Sequence, residues 1–185
     1  MKSDVMEEFL RIPQARIGAL IGKNGAVKRK IEKDLGVRIE IDTEECSVKI
    51  SDENTKDPLA CWKGRDVVKA IARGFSPFKA FKLLEEDVIL EIIDLKEYLG
   101  KSKNTLKRVK GRIIGKDGKT RKIIENMTGC YLSIYGKTIA LIGEFEQVYD
   151  AKKAVEMLLH GSEHSSVYRF LEKVKRKKER HEIWR

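Results

Sequence analysis

Two glycine pairs have the most specific chemistry to offer in this sequence: Gly22-Lys23-Asn24-Gly25 and Gly115-Lys116-Asp117-Gly118. A glycine lets the backbone turn sharply and approach another chain closely, because no side chain stands in the way. Each pair precedes a basic segment with helical character. Amides at the start of a helix face an approaching ligand, and the helix dipole favours negative charge there. Lys23 and Lys116 each add a point charge at the loop. The chemistry that fits is the gripping of a phosphate chain. Lys28, Arg112, Lys119, Arg121 and Lys122 would extend that contact. Leu20-Ile21 and Ile113-Ile114, just before the loops, would form core and the floor of a shallow groove for unstacked bases. Such a groove suits a single strand rather than a duplex.

One Gly-x-x-Gly is weak evidence, since plain turns between helices also contain it. Repetition makes it specific. Residues 18–41 align without a gap on residues 111–134, an offset of 93. Nine of these 24 positions are identical: Gly18, Ile21, Gly22, Lys23, Gly25, Ile31, Glu32, Gly36 and Ile41. The chain therefore carries a duplicated module.

Each copy has the elements needed to present its loop. A strand rich in β-branched residues opens it, over 5–12 or 88–95. A short helical turn leads into the glycine pair. A basic helix follows, over 26–35 or 119–128, and stops at Gly36 or Gly129 as a C-terminal cap. Two short strands come next, over 38–42 and 47–51, or 131–135 and 138–143. A closing helix spans roughly 59–73 or 145–159, and these helices align at an offset of 87. Between the copies, Ser76-Pro77 reads as the N-cap and first residue of a short helix. The expected organisation is a first module over 1–75, a helical segment over 76–86, a second module over 87–161 and a basic terminal helix over 162–185. In that last helix Val167, Phe170, Leu171 and Val174 form one apolar stripe, and six of the eight residues from Lys173 to Arg180 are basic.

Charge ranks the two copies. The chain has 185 residues and a net charge of +10, which favours a polyanionic partner. Residues 101–122 hold ten Lys/Arg and one acid, whereas the aligned window 8–29 holds five and one. The second loop is therefore expected to dominate affinity through phosphate neutralisation. Asp117, acidic at the loop tip, should weaken its contact slightly. No apolar run could span a bilayer and no signal-peptide pattern opens the chain, so a cytoplasmic protein is expected. Cys46, Cys61 and Cys130 form no Cys-x-x-Cys, and no disulfide or metal site is expected of them. His160, His164 and His181 lack a carboxylate or nucleophile constellation, so neither catalysis nor a cofactor is expected.

The string Ile-Gly-Lys-x-Gly, the basic helix, Ile31 or Ile124 ten residues after Ile21 or Ile114, and the capping glycine resemble the KH family. The resemblance implies an α+β fold: two tandem KH domains, each a three-stranded sheet with three helices in the order β-α-α-β-β-α, plus a C-terminal helix. It implies single-stranded RNA as the ligand. Lys28 and Arg121 depart from the pattern, since the family usually has an aliphatic residue there. The segments Lys110–Glu125, Tyr135–Thr138, Gly161–Glu172 and Ser76–Leu84 resemble, more narrowly, the archaeal form of the Krr/partner-of-Nob group of small-ribosomal-subunit assembly factors. That resemblance implies binding near the 3′ end of small-subunit rRNA. It also implies partnership with the endonuclease that trims this end and contact with the α subunit of translation initiation factor two. Other readings are an adaptor of the exosome, transcription or translation machinery, or a protein scaffold with vestigial loops.

Overall fold

The chain was analysed as a computed structural model that describes residues 6–52, 55, 57, 59–99 and 103–183. It divides into two compact units, Met1–Glu86 and Asp87–Arg185. Val5, at the head of the first expected strand, and Lys101, in the basic window, lie outside the described residues.

In the first unit, strand β1 (Glu7–Arg11) is followed by helices α1 (Gln14–Ile21) and α2 (Ala26–Leu35), strands β2 (Arg38–Asp42) and β3 (Ser47–Ser51), and helix α3 (Ala60–Ala72). The sheet order is β1-β3-β2, antiparallel throughout. The apolar face buries Ile39, Val48 and Ile50 against Leu20, Ile31 and Ile71 from the helices. α2 ends because Gly36 turns left-handed at φ 67 and donates to the Glu32 carbonyl. Beyond α3, Ser76 caps α4 (Pro77–Ala80) by accepting from the Lys79 amide, as its sequence predicts. Phe75, Ala80 and Leu83 bury this segment in the first unit.

The second unit repeats the plan with additions. It runs β4 (Val88–Asp94), α5 (Leu95–Leu99), α6 (Lys103–Ile114), α7 (Lys119–Thr128), β5 (Tyr131–Tyr135), β6 (Thr138–Glu144), α8 (Phe145–Leu159) and α9 (His164–Ile183). Its sheet order is β4-β6-β5. Ile93, Leu132, Ile139 and Leu141 pack with Ile113, Ile124 and Val155. α9 closes this core, with Val167 and Leu171 both fully buried.

The expected helical turn before each loop is instead a full helix, two turns in α1 and three in α6. Ile17 and Leu20 are buried in the former, Val109 and Ile113 in the latter, so apolar burial extends each helix backwards. α5 is also new. Asp94, at the end of β4, accepts from the Lys96 amide at 2.9 Å and starts it.

Candidate nucleic-acid interface

Each Gly-x-x-Gly bridges two helices along the same backbone path. Gly22 has φ 73, ψ 176 and Gly115 has φ 73, ψ 175, a region open to glycine alone. The close approach is as restrictive as the dihedral. A Cβ on Gly22 would lie 2.9 Å from the Val27 amide nitrogen, and one on Gly115 would lie 2.7 Å from that of Thr120. Asn24 and Asp117 are left-handed, at φ 52 and φ 53. Gly25 and Gly118 are left-handed too, at φ 76 and φ 74. Asn and Asp enter this region more readily than other side chains. Conformation therefore accounts for the residue types at positions 24 and 117, including the acid at the tip of the second loop.

Neither α2 nor α7 has a side chain bonded to its first-turn amides, and neither has an acid in its first turn. The main chain closes on itself there instead, Gly25 and Gly118 donating to the Gly22 and Gly115 carbonyls and Ala26 and Lys119 to the Lys23 and Lys116 carbonyls, and the positive end of each dipole lies beside its loop. Lys23, Asn24, Lys116 and Asp117 are all exposed. A helix start of this kind favours negative charge, and the lysine adds a point charge beside it.

The flanking cations do not all serve the loop. Arg112 donates to the Ser162 carbonyl at 2.5 Å, and its own carbonyl lies 2.9 Å from His164 Nε2. Lys110 donates to the Gly136 carbonyl at 2.8 Å. Lys28 pairs with Glu32 at 3.6 Å, and Arg121 with Glu125 at 3.4 Å. These two pairs have a second half. Glu32 accepts from the Ile39 amide and Glu125 from the Leu132 amide, each at 2.9 Å. β2 and β5 are edge strands, so each glutamate ties the basic helix to the open side of its sheet. The departure from an aliphatic residue at positions 28 and 121 is explained by this cation–carboxylate–amide chain, which occurs in both copies. The equivalence of Glu32 and Glu125 in the alignment was the signal for it.

Core and floor divide between the two isoleucines before the second loop: the Ile113 side chain is 0 % exposed and belongs to the core, whereas Ile114 is 37 % exposed and faces solvent. Lys116, Lys119 and Lys122 remain exposed at the second loop, with Lys103, Lys107 and Arg108 on α6. At the first, Lys23 and Arg29 are exposed, with Arg11 on β1, while Arg16 is turned to the carbonyls of Ile71 and Phe75. The second copy keeps the stronger field.

Among the described residues, a further helix backs the second loop and none the first. Thr120, buried under Gly115, shares a hydrogen bond of 2.9 Å with the Tyr168 hydroxyl of α9. Lys178 reaches the Thr128 carbonyl at 2.7 Å, so α9 runs alongside α7 from its start to its end.

The other reactive groups are structural. Burial pushes the Cys130 thiol up to about 12, so it stays protonated and unreactive at neutral pH. His160 Nδ1 bonds the Glu156 carbonyl at 2.8 Å. The side chain of His181 lies outside the described residues. Among the described residues no three potential metal ligands cluster, and no helix is long and apolar enough to cross a membrane.

Fold and loop together define the class of α+β modules that grip single-stranded nucleic acid through a glycine loop and a helix start. Family models agree. Residues 7–57 match the KH domain, and residues 89–176 match a eukaryotic-type (type I) KH domain, the second of PNO1. The chain is 49 % identical over 180 residues to the KH domain-containing protein MJ0443 of Methanocaldococcus jannaschii, covering 96 % of this chain and 79 % of that protein. It is 35 % identical over 135 residues to the pre-rRNA-processing protein PNO1 of Eremothecium gossypii, covering 72 % of this chain. The chain spans about half, 51 %, of that relative's length. A chain in the crystal structure of the a/eIF2alpha–aDim2p–rRNA complex from Pyrococcus horikoshii is 50 % identical, with TM-score 0.89 and coverage of 95 % and 97 %. The chain belongs to the KH-domain family, in its PNO1/Dim2 branch.

Proposed function

We propose that this chain is a small-subunit rRNA maturation factor that holds single-stranded RNA near the 3′ end of the rRNA and acts by binding, without catalysis. The observation that carries the reading is the uncapped start of α7 behind Gly115–Gly118, set among exposed lysines. Two relatives support the target. One is named for pre-rRNA processing, and the other was crystallised with rRNA and the α subunit of the initiation factor. By the likeness to the crystallised relative this chain contacts that α subunit; work with the endonuclease that trims the rRNA, and in the cytoplasm, is proposed from the sequence resemblance alone. Gly115, Lys116, Asp117 and Gly118 form the main clamp, extended by Lys119 and Lys122. Gly22, Lys23, Asn24 and Gly25 form the weaker one.

Titration of a single-stranded 3′ rRNA fragment at matched salt tests this. Replacing Lys116 and Asp117 by two glutamates should weaken binding more than replacing Lys23 and Asn24 by two glutamates, although the exchange at Asn24 adds a negative charge and that at Asp117 does not. Equal losses would overturn the ranking. Unchanged binding after both replacements would make the loops vestigial and favour the scaffold reading.

A further inference from the structure

α9 has two opposite faces. Val167, Leu171, Val174 and Lys178 form the anchored one, with the first two fully buried and Lys178 bonded to Thr128 and Asp150. Arg169, Lys173, Arg176 and Arg180 follow the same spacing two residues later, which places them on the far side of the helix. All four are exposed. Among the described residues none of them forms an ion pair with a carboxylate, while Lys175 on the flank pairs with Glu179 at 3.8 Å.

A helix face that merely keeps a protein in solution mixes both signs. The four cations outnumber the acids along this ridge, where exposed Glu172 stands at the edge between Arg169 and Arg176 and, among the described residues, forms no ion pair to either. Like charges three and four residues apart repel, and an anion lying over the ridge would relieve that repulsion. It rises about 1.5 Å per residue, so the cations recur at roughly 5 Å intervals over about 17 Å. It has no aromatic side chain for stacking and no amide for reading base edges. It starts next to Tyr168, whose hydroxyl touches the residue under the second loop.

We infer that the outward face of α9 is a second RNA contact, one that takes the sugar–phosphate backbone of a structured RNA and reads no sequence. This rests on the reading that the second loop holds the single-stranded end of the same rRNA. The ridge then grips the folded part next to that end.

The test uses the full chain and two RNAs: a short single-stranded oligonucleotide that fills the loop, and a longer fragment carrying the same single strand next to a hairpin. The ridge variant is Arg169→Gln, Lys173→Gln, Arg176→Gln and Arg180→Gln, all at exposed positions that leave the anchored face intact. It should bind the oligonucleotide as the parent does. It should bind the long fragment roughly tenfold or more weakly, with the slope of log affinity against log salt reduced by about three. The same affinity and slope as the parent on the long fragment would overturn the inference. So would an equal loss on both RNAs, which would show only a general effect of net charge. The loop variant should lose both RNAs. If it loses neither, the reading of the loop fails, whatever the ridge variant does.

Discussion

Gly115 and Gly118 look alike in the sequence and differ in what they demand. Gly115→Ala places a Cβ against the Thr120 amide in a glycine-only conformation, which costs about 1–3 kcal/mol for the dihedral alone. Gly118→Ala meets open space and a left-handed backbone, costing about 1–2 kcal/mol. Thermal unfolding should rank Gly115→Ala below Gly118→Ala, and equal melting temperatures would refute the role given to the close approach. The glycines themselves were legible from type and spacing. The meaning of Asp117 was not, because its residue type suggests charge while its backbone sets the choice. Which of Ile113 and Ile114 is core was not legible for a related reason. Two adjacent isoleucines in a helix point in different directions, and which one faces the core depends on a helix whose length the sequence understated.

α2 and α7 were readable to the residue because glycines bound them at both ends. α6 was not, since its basic first turns hide an apolar stripe of Leu106, Val109 and Ile113. α9 was legible as a basic helix with one apolar stripe, but its bond to the loop's underside joins residues 48 apart in sequence and leaves no local mark. That bond is testable. Tyr168→Phe leaves the Thr120 hydroxyl buried without its partner, at a cost of about 1–3 kcal/mol. The matching residue in the first copy is Val27. Adding Thr120→Val to Tyr168→Phe should therefore recover most of the stability lost, as measured by denaturant unfolding. A double variant no better than the single one would mean the ring, and not the hydroxyl pair, matters.

The whole chain was legible as a duplication because the loop and its helix tolerate no insertion. The offset of 93 slips to 87 at the closing helices because the connections between them do tolerate change. The first hairpin turns over four residues, 43–46, and the second over two, 136–137. Eight residues lie between β3 and α3, while α8 follows β6 directly. The two modules thus differ in their connections and agree in the backbone of the loop and its helix. The four-residue loop is an interchangeable part. Exchanging residues 22–25 with 115–118 moves a single chemical difference, Asn for Asp, between settings that already share one backbone path. Both modules should stay folded, and the second should remain the tighter binder in an RNA titration. A reversal would assign the strength of the clamp to the part and not to its surroundings.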